Sequence, residues 1–288
     1  MNFPAMLAKL LAVIASLTPM KLSDALVTAL GHLSYYLTPN VRATIRTNLR
    51  HALHDESLSP RRLDRYVRRT YVNYSLRLAD FYRLNTLPAA RLIQMVEDIN
   101  VDNIDRALAQ GRGVIMLTLH LGNWDFAGAY LAARGYPINA LVEETDREIL
   151  ELFTRHRETT GMRTFTLRRS AYAFLDSIRH NRVLAVVGDR DILKNGKSVK
   201  FFNGIRKIPA NLSEIIARKR IPVTFGYLAF NPKGSKRRYR GVVHTPESFD
   251  TAAEFERFMI RKFEETIKRY PDQWLAFQPE WLDQTHES

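Results

Sequence analysis

The segment "VIMLTLHLGNWD" (114–125) decides how this chain is read. Its first six residues, "VIMLTL" (114–119), form an unbroken apolar run, as expected for a central parallel strand buried on both faces. A histidine follows at 120, Gly122 and Asn123 make a turn, and Asp125 opens the next helix. A strand–turn–helix passage of this kind belongs to an α/β sheet, where chemistry collects at the carboxyl ends of strands. Two readings of the pair are open. Asp125 or Asn123 caps the helix while His120 fills a turn, or His120 is a general base and Asp125 the carboxylate that orients it.

The pattern continues on both sides. Downstream come a helix (126–135) ended by Gly135, a strand (138–142), a helix (147–161) and a helix (171–181). A strand over 183–188, a helix over 208–220 opened near Pro209, and strands over 221–230 and 239–244 follow, the last expected at an edge. An amphipathic helix over 253–270 carries Phe255, Phe258, Met259, Phe263 and Ile267 on one face. Strands alternating with helices predict a layered α/β/α fold with a mostly parallel central sheet. Upstream the chain is helical. "RATIRTNLRHAL" (42–53) sets Arg42, Arg46 and Arg50 on one helical face, and Pro60 opens a long helix over 60–84.

The N-terminal "FPAMLAKLLAVIASLTPM" (3–20) is mostly apolar, interrupted by Lys9 and bracketed by Pro4 and Pro19. It is shorter than the roughly 20 residues that span a bilayer. No charge precedes Lys9, unlike a secretory signal. Residues 4–35 are expected to form one or two helices lying in a membrane interface; covering the protein's own core is the alternative. The expected organisation is residues 1–35 as membrane-associating helices and 36–288 as one catalytic domain.

Composition narrows the partner. The 288 residues hold 43 Lys+Arg against 30 Asp+Glu, a net charge of +13, and no Cys. An anionic partner is implied, and disulfides, Cys-based zinc sites and a Cys nucleophile are excluded. No ligand cluster has metal spacing, so neither metal nor cofactor is expected. A basic nucleic-acid-binding protein is the rival of a different class. No helix-turn-helix, RNA-recognition or zinc-finger signature accompanies the charge, and nucleic acid is not expected as a partner. "KGSKRRYR" (233–240) reads as a basic hairpin tip.

Three further segments bear on His120. "VVGDRD" (186–191) ends a second buried strand with Asp189 and Asp191 flanking Arg190, where acidic groups could face the same crevice; an ordinary polar loop is the alternative. "FTLRRS" (165–170) sets Arg168 and Arg169 before a helix, where they could clamp phosphate. "KNGKSVKFFNGIRKIPA" (194–210) is a basic loop whose aromatics could line an acyl-facing or membrane-facing wall; a solvated loop with one buried Phe is the alternative.

"HLGNWD", "VVGDRD", "KFFNGIRKIPA" and the C-terminal "YPDQWLAFQPEW" (270–281) together resemble the late (lauroyl/myristoyl-type) acyltransferases of lipid A biosynthesis. That family belongs to the lysophospholipid-acyltransferase superfamily, whose hallmark is H-x4-D/E. Similar enzymes acylate phosphatidylinositol mannosides. The likeness runs from about residue 40, with "IRTNLRHAL", to about 281. The resemblance implies an acyl chain moved from an acyl carrier protein or acyl-CoA to a hydroxyl of an anionic glycolipid. A lipid A precursor is the favoured acceptor, and a phosphatidylinositol mannoside or other lipid the alternative. It implies His120 as base, Asp125 as its orienting carboxylate and Arg168 as a phosphate-binding arginine. Asp189 and Asp191 resemble the family's second acidic motif. Phe201, Phe202 and Gly204 resemble its "FFG"-like segment, interrupted here by Asn203. With Asn123, Trp124, Arg190 and Lys200, these are the expected substrate-binding residues. The expected location is the cytoplasmic face of the bacterial inner membrane.

Overall fold

The computed structural model describes residues 18–54, 58–144 and 147–282. Most of the apolar stretch 3–20 therefore lies outside the described residues. The chain divides into two compact units. One unit takes residues up to 87 with 200–206 and those from 264 onward; the other takes 88–199 and 207–263.

The first unit is helical. Its helices are α1 (Met20–Leu37), α2 (Pro39–Ala52) and α3 (Pro60–Arg83). Pro39 and Pro60 stand in first turns, where a missing N–H costs nothing, and Ser59 caps α3 by accepting the Arg62 N–H. α1 lies close against α3: a Cβ at Gly31 would come within 2.9 Å of Val72 Cα. The C-terminal segment is stitched to α2 and α3 by side-chain amides. Asn48 Nδ2 donates to the carbonyls of Ala276 and Gln278, and Asn73 Nδ2 to that of Asp272.

The second unit holds a seven-stranded sheet. In chain order its elements are α4 (Ala89–Gln94), β1 (Val96–Ile99), α5 (Asn103–Leu108), β2 (Val114–Thr118), α6 (Trp124–Ala133), β3 (Ile138–Val142), α7 (Arg147–Thr159), β4 (Arg163–Thr166), α8 (Ser170–Arg179) and β5 (Val183–Val187). The chain continues through the hairpin strands β6 (Lys197–Phe201) and β7 (Gly204–Ile208), then α9 (Ala210–Lys219), β8 (Val223–Phe230), β9 (Tyr239–Val243) and α10 (Ala252–Arg269). The strand order is β1-β9-β8-β2-β5-β3-β4. Every pairing is parallel except β8 with β9. This is the expected mostly parallel α/β sheet. β2 is central and wholly buried, as its unbroken apolar sequence predicted.

Two expectations are corrected. The strand at 239–243 is not an edge: it pairs with β8 on one side and β1 on the other. The edges are β1 and β4, and β1, four residues with two exposed acids, shows no apolar run in the sequence. The basic segment 194–210 is a β-hairpin rather than a loop, with its turn at Phe202 and Asn203. The basic stretch at 233–240 does link β8 to β9 as a hairpin connection. No helix among the described residues is long and apolar enough to cross a membrane.

Candidate active site

β2 and β5 are neighbours, with Thr118 opposite Val187. Two residues further along each chain stand His120 and Asp189. Parallel strands lie about 4.8 Å apart, so this register brings the two side chains to one level at the carboxyl edge. His120 Nδ1 is 2.6 Å from Asp189 Oδ1, and the same oxygen accepts the His120 backbone N–H at 3.0 Å. The carboxylate is buried and the imidazole nearly so, with side-chain exposures of 1% and 14%. With Nδ1–H donating to Asp189, Nε2 carries the free lone pair. The Trp124 ring meets the imidazole edge-on, at 4.9 Å between centroids.

Asp125 was expected to hold the imidazole. It lies in the first turn of α6 and accepts a hydrogen bond from Arg157 Nε of α7 at 2.8 Å, with both side chains largely buried. The spacing between residues 120 and 125 suggested proximity in sequence. The strand register supplies a different carboxylate, 69 residues away.

The turn between β2 and α6 is tightly built. Gly122 has φ +62°, and a Cβ there would fall 2.0 Å from the Leu228 carbonyl oxygen. Only glycine fits both conditions. Asn123 is fully buried, and all its polar groups are engaged. Its N–H donates to the Leu228 carbonyl, its Nδ2 to Tyr239 Oη, and its Oδ1 caps α6 through the Phe126 N–H. The capping alternative therefore describes Asn123, which was expected among substrate-binding residues.

The other candidates separate. Arg168 follows β4, three strands from β2, or about 14 Å along the sheet. It lies on the carboxyl side, 83% exposed, and pairs with Glu144 at 2.7 Å. Arg190 and Asp191 continue the loop from Asp189, and Asp191 packs against Gly196, where a Cβ would clash with its carboxylate. Phe201, Phe202 and Gly204 belong to the first unit, buried around Trp281. There Arg206, 2% exposed, pairs with Glu280 and stacks over Phe201. These aromatics are core and form no open wall, and Lys200 beside them is exposed.

Sequence reasoning named Asp189 but gave it no contact with His120, and it missed Arg157 altogether. An arginine in the amphipathic helix 147–159 looks like any solvated cation.

Comparison with known proteins places the chain in a family. The phosphatidylinositol mannoside acyltransferase of Mycolicibacterium smegmatis is 25% identical over 224 residues, covering 76% of this chain and 73% of that protein. That of Mycobacterium tuberculosis is 27% identical over 217 residues, covering 73% and 68%. The family model for bacterial lipid A biosynthesis acyltransferases matches residues 5–283, so the chain belongs to that family and is an O-acyltransferase.

Proposed function

We propose that this enzyme transfers a fatty acyl group from an acyl thioester to a hydroxyl of an anionic glycolipid, with His120 as general base and Asp189 as its orienting carboxylate. The observation that carries this reading is the 2.6 Å contact between His120 Nδ1 and a buried carboxylate at the carboxyl edge of the sheet. Asp189 holds the tautomer that leaves Nε2 unprotonated and stabilises the imidazolium that forms. Nε2 takes the proton of the acceptor hydroxyl as its oxygen attacks the thioester carbonyl. When the tetrahedral intermediate collapses, the C–S bond breaks and the imidazolium returns the proton to the departing thiolate. The donor is acyl carrier protein or acyl-CoA, both anionic, as suits a chain of charge +13.

A phosphorylated lipid A precursor is the favoured acceptor, because the matching family model spans nearly the whole chain. A phosphatidylinositol mannoside is the second reading, favoured by the names of the curated relatives. Arg168, exposed on the same side of the sheet, is suited to a phosphate of either. Because thioester donors are cytosolic, the reaction is placed at the cytoplasmic face of the inner membrane. Trp124 walls one side of the base, and Asp125 acts through Arg157 by holding α7.

The test is to incubate purified enzyme and its His120→Ala variant with acyl thioester and each acceptor, reading products by mass spectrometry. Wild type should add one acyl chain to one acceptor, and the variant should lose at least about 10³-fold in rate. Turnover by His120→Ala within tenfold of wild type would discard the base assignment.

A further inference from the structure

The basic stretch between β8 and β9 stands beside the candidate base yet takes no part in the proton transfer. Residues 231–238 hold Lys233, Lys236, Arg237 and Arg238 and no acidic residue. Residues 232–237 are all exposed. β8 runs parallel to β2, with Gly122 bridged to Leu228, so the chain leaves β8 at the same carboxyl edge that carries His120. β9 returns antiparallel, and its first residue, Tyr239, is fully buried. Tyr239 Oη accepts from Nδ2 of Asn123, in the turn that follows His120, and its ring lies 4.6 Å from that of Phe126. The basic turn is thereby fastened to the turn that presents the base.

Several of its cations are held in place. Arg238 lies over the rings of Phe230 and Tyr239, at 5.6 and 6.0 Å from their centroids. Arg237 Nη1 donates to the Gln94 carbonyl at the end of α4, and α4 packs on α6. Arg91, exposed on α4, reaches Gln94 Oε1 at 3.4 Å and adds a fifth cation beside the turn. The acids of β1 are engaged elsewhere, Glu97 with Arg240 and Asp98 with Arg134. Cations fixed in this way set up a positive field before any partner arrives.

We propose that residues 231–238, with Arg91, form the docking surface for an acidic carrier protein that presents the acyl group as a thioester on a flexible arm. The inference rests on the reading that the enzyme uses a thioester donor, and it commits to the protein donor over acyl-CoA. Gly234 lies six residues past Leu228, so the tip stands no more than about 20 Å beyond the level of the catalytic turn. An extended phosphopantetheine arm has a comparable reach, so a carrier seated on the tip can bring its thioester to His120. A free nucleotide needs walls around its base and binds in a cleft. An exposed, projecting turn suits the acidic face of a folded protein instead. A bilayer fits less well, because 231–238 holds no apolar side chain larger than that of Pro232 to bury among acyl chains.

The test compares the full chain with a variant carrying Lys233→Glu, Lys236→Glu and Arg91→Glu. Each is given acyl carrier protein, acyl-CoA and acyl phosphopantetheine as donors. The ratio of kcat/KM for acyl carrier protein to that for acyl phosphopantetheine should fall at least about tenfold, through KM. A variant carrying Lys233→Arg and Lys236→Arg should keep the wild-type ratio. Binding of unacylated carrier protein, read by fluorescence anisotropy with no acceptor present, should weaken by the same factor. In wild type it should also weaken as salt rises from about 0.05 to about 0.3 M. This binding needs no turnover, so it is read even where acyl transfer from a thioester fails. A ratio within about twofold of wild type would overturn the proposal. So would wild type that binds no carrier protein, or an equal loss with acyl-CoA, which would assign the cations to nucleotide phosphates. A variant that loses only its binding to anionic phosphatidylglycerol vesicles would overturn it as well.

Discussion

His120 and Asp189 meet because Thr118 and Val187 are paired. The register of two adjacent parallel strands sets residues two positions beyond each at the same height, and the imidazole and carboxylate close to 2.6 Å. The buried oxygen that receives Nδ1 also receives the His120 backbone N–H. The ring is therefore fixed relative to the main chain as well as to the acid. Such orientation is what a base needs to act without reorganising.

Asp189→Asn should keep the fold and remove the negative charge, lowering kcat by about 10³-fold. Asp125→Asn should cost far less in kcat, because it weakens the Arg157 contact that anchors α7 and leaves the imidazole bonded. Proton NMR separates the two. A downfield Nδ1–H signal of His120 should persist in Asp125→Asn and vanish in Asp189→Asn. The reverse pattern would return the orienting role to Asp125.

Gly122→Ala should destabilise the protein by about 3 kcal/mol, since the backbone is left-handed and the added methyl meets a carbonyl. Thermal unfolding measures the loss. Gly135→Ala also has positive φ, but a Cβ there meets nothing within 4 Å. It should cost only about 1 kcal/mol. Equal losses at the two sites would mean that steric contact with Leu228 is not what fixes glycine at 122.

Asp176 is buried at the strand-start end of the sheet. Burial opposes its ionisation, but Asn139 donates to it and Arg163, His180 and Arg182 surround it, holding its carboxyl below the ordinary value of 3.8. A carboxyl lowered by folding stabilises above its unfolded pKa, and that contribution is lost as pH falls through the folded value. Asp176→Asn should therefore be less stable than wild type near pH 7, by about 1–3 kcal/mol. The gap should begin to close as pH drops below about 3.8. Urea titrations at pH 7, 5 and 3 check this; a gap that widens on acidification would refute it.

Much of the fold is legible in the linear order of residues. Largely apolar runs at 114–118, 183–187 and 223–230 declare buried strands, and Phe255, Phe258, Met259 and Phe263 declare the core face of α10. These signals are local, because burial on both faces removes alternation and a helix repeats every 3.6 residues. β1 and the β6–β7 hairpin were hidden, since short strands of mixed polarity have no periodic signature of their own.

The site divides in the same way. The residue types that mark it, a histidine and acids just past buried strands, were visible in sequence order, as was the glycine that turns the chain. Which carboxylate serves the histidine was decided by strand order and register, which are long-range pairings that no local spacing encodes. Asp125 is close in sequence and holds α7 through Arg157, whereas Asp189 is distant in sequence and holds the imidazole.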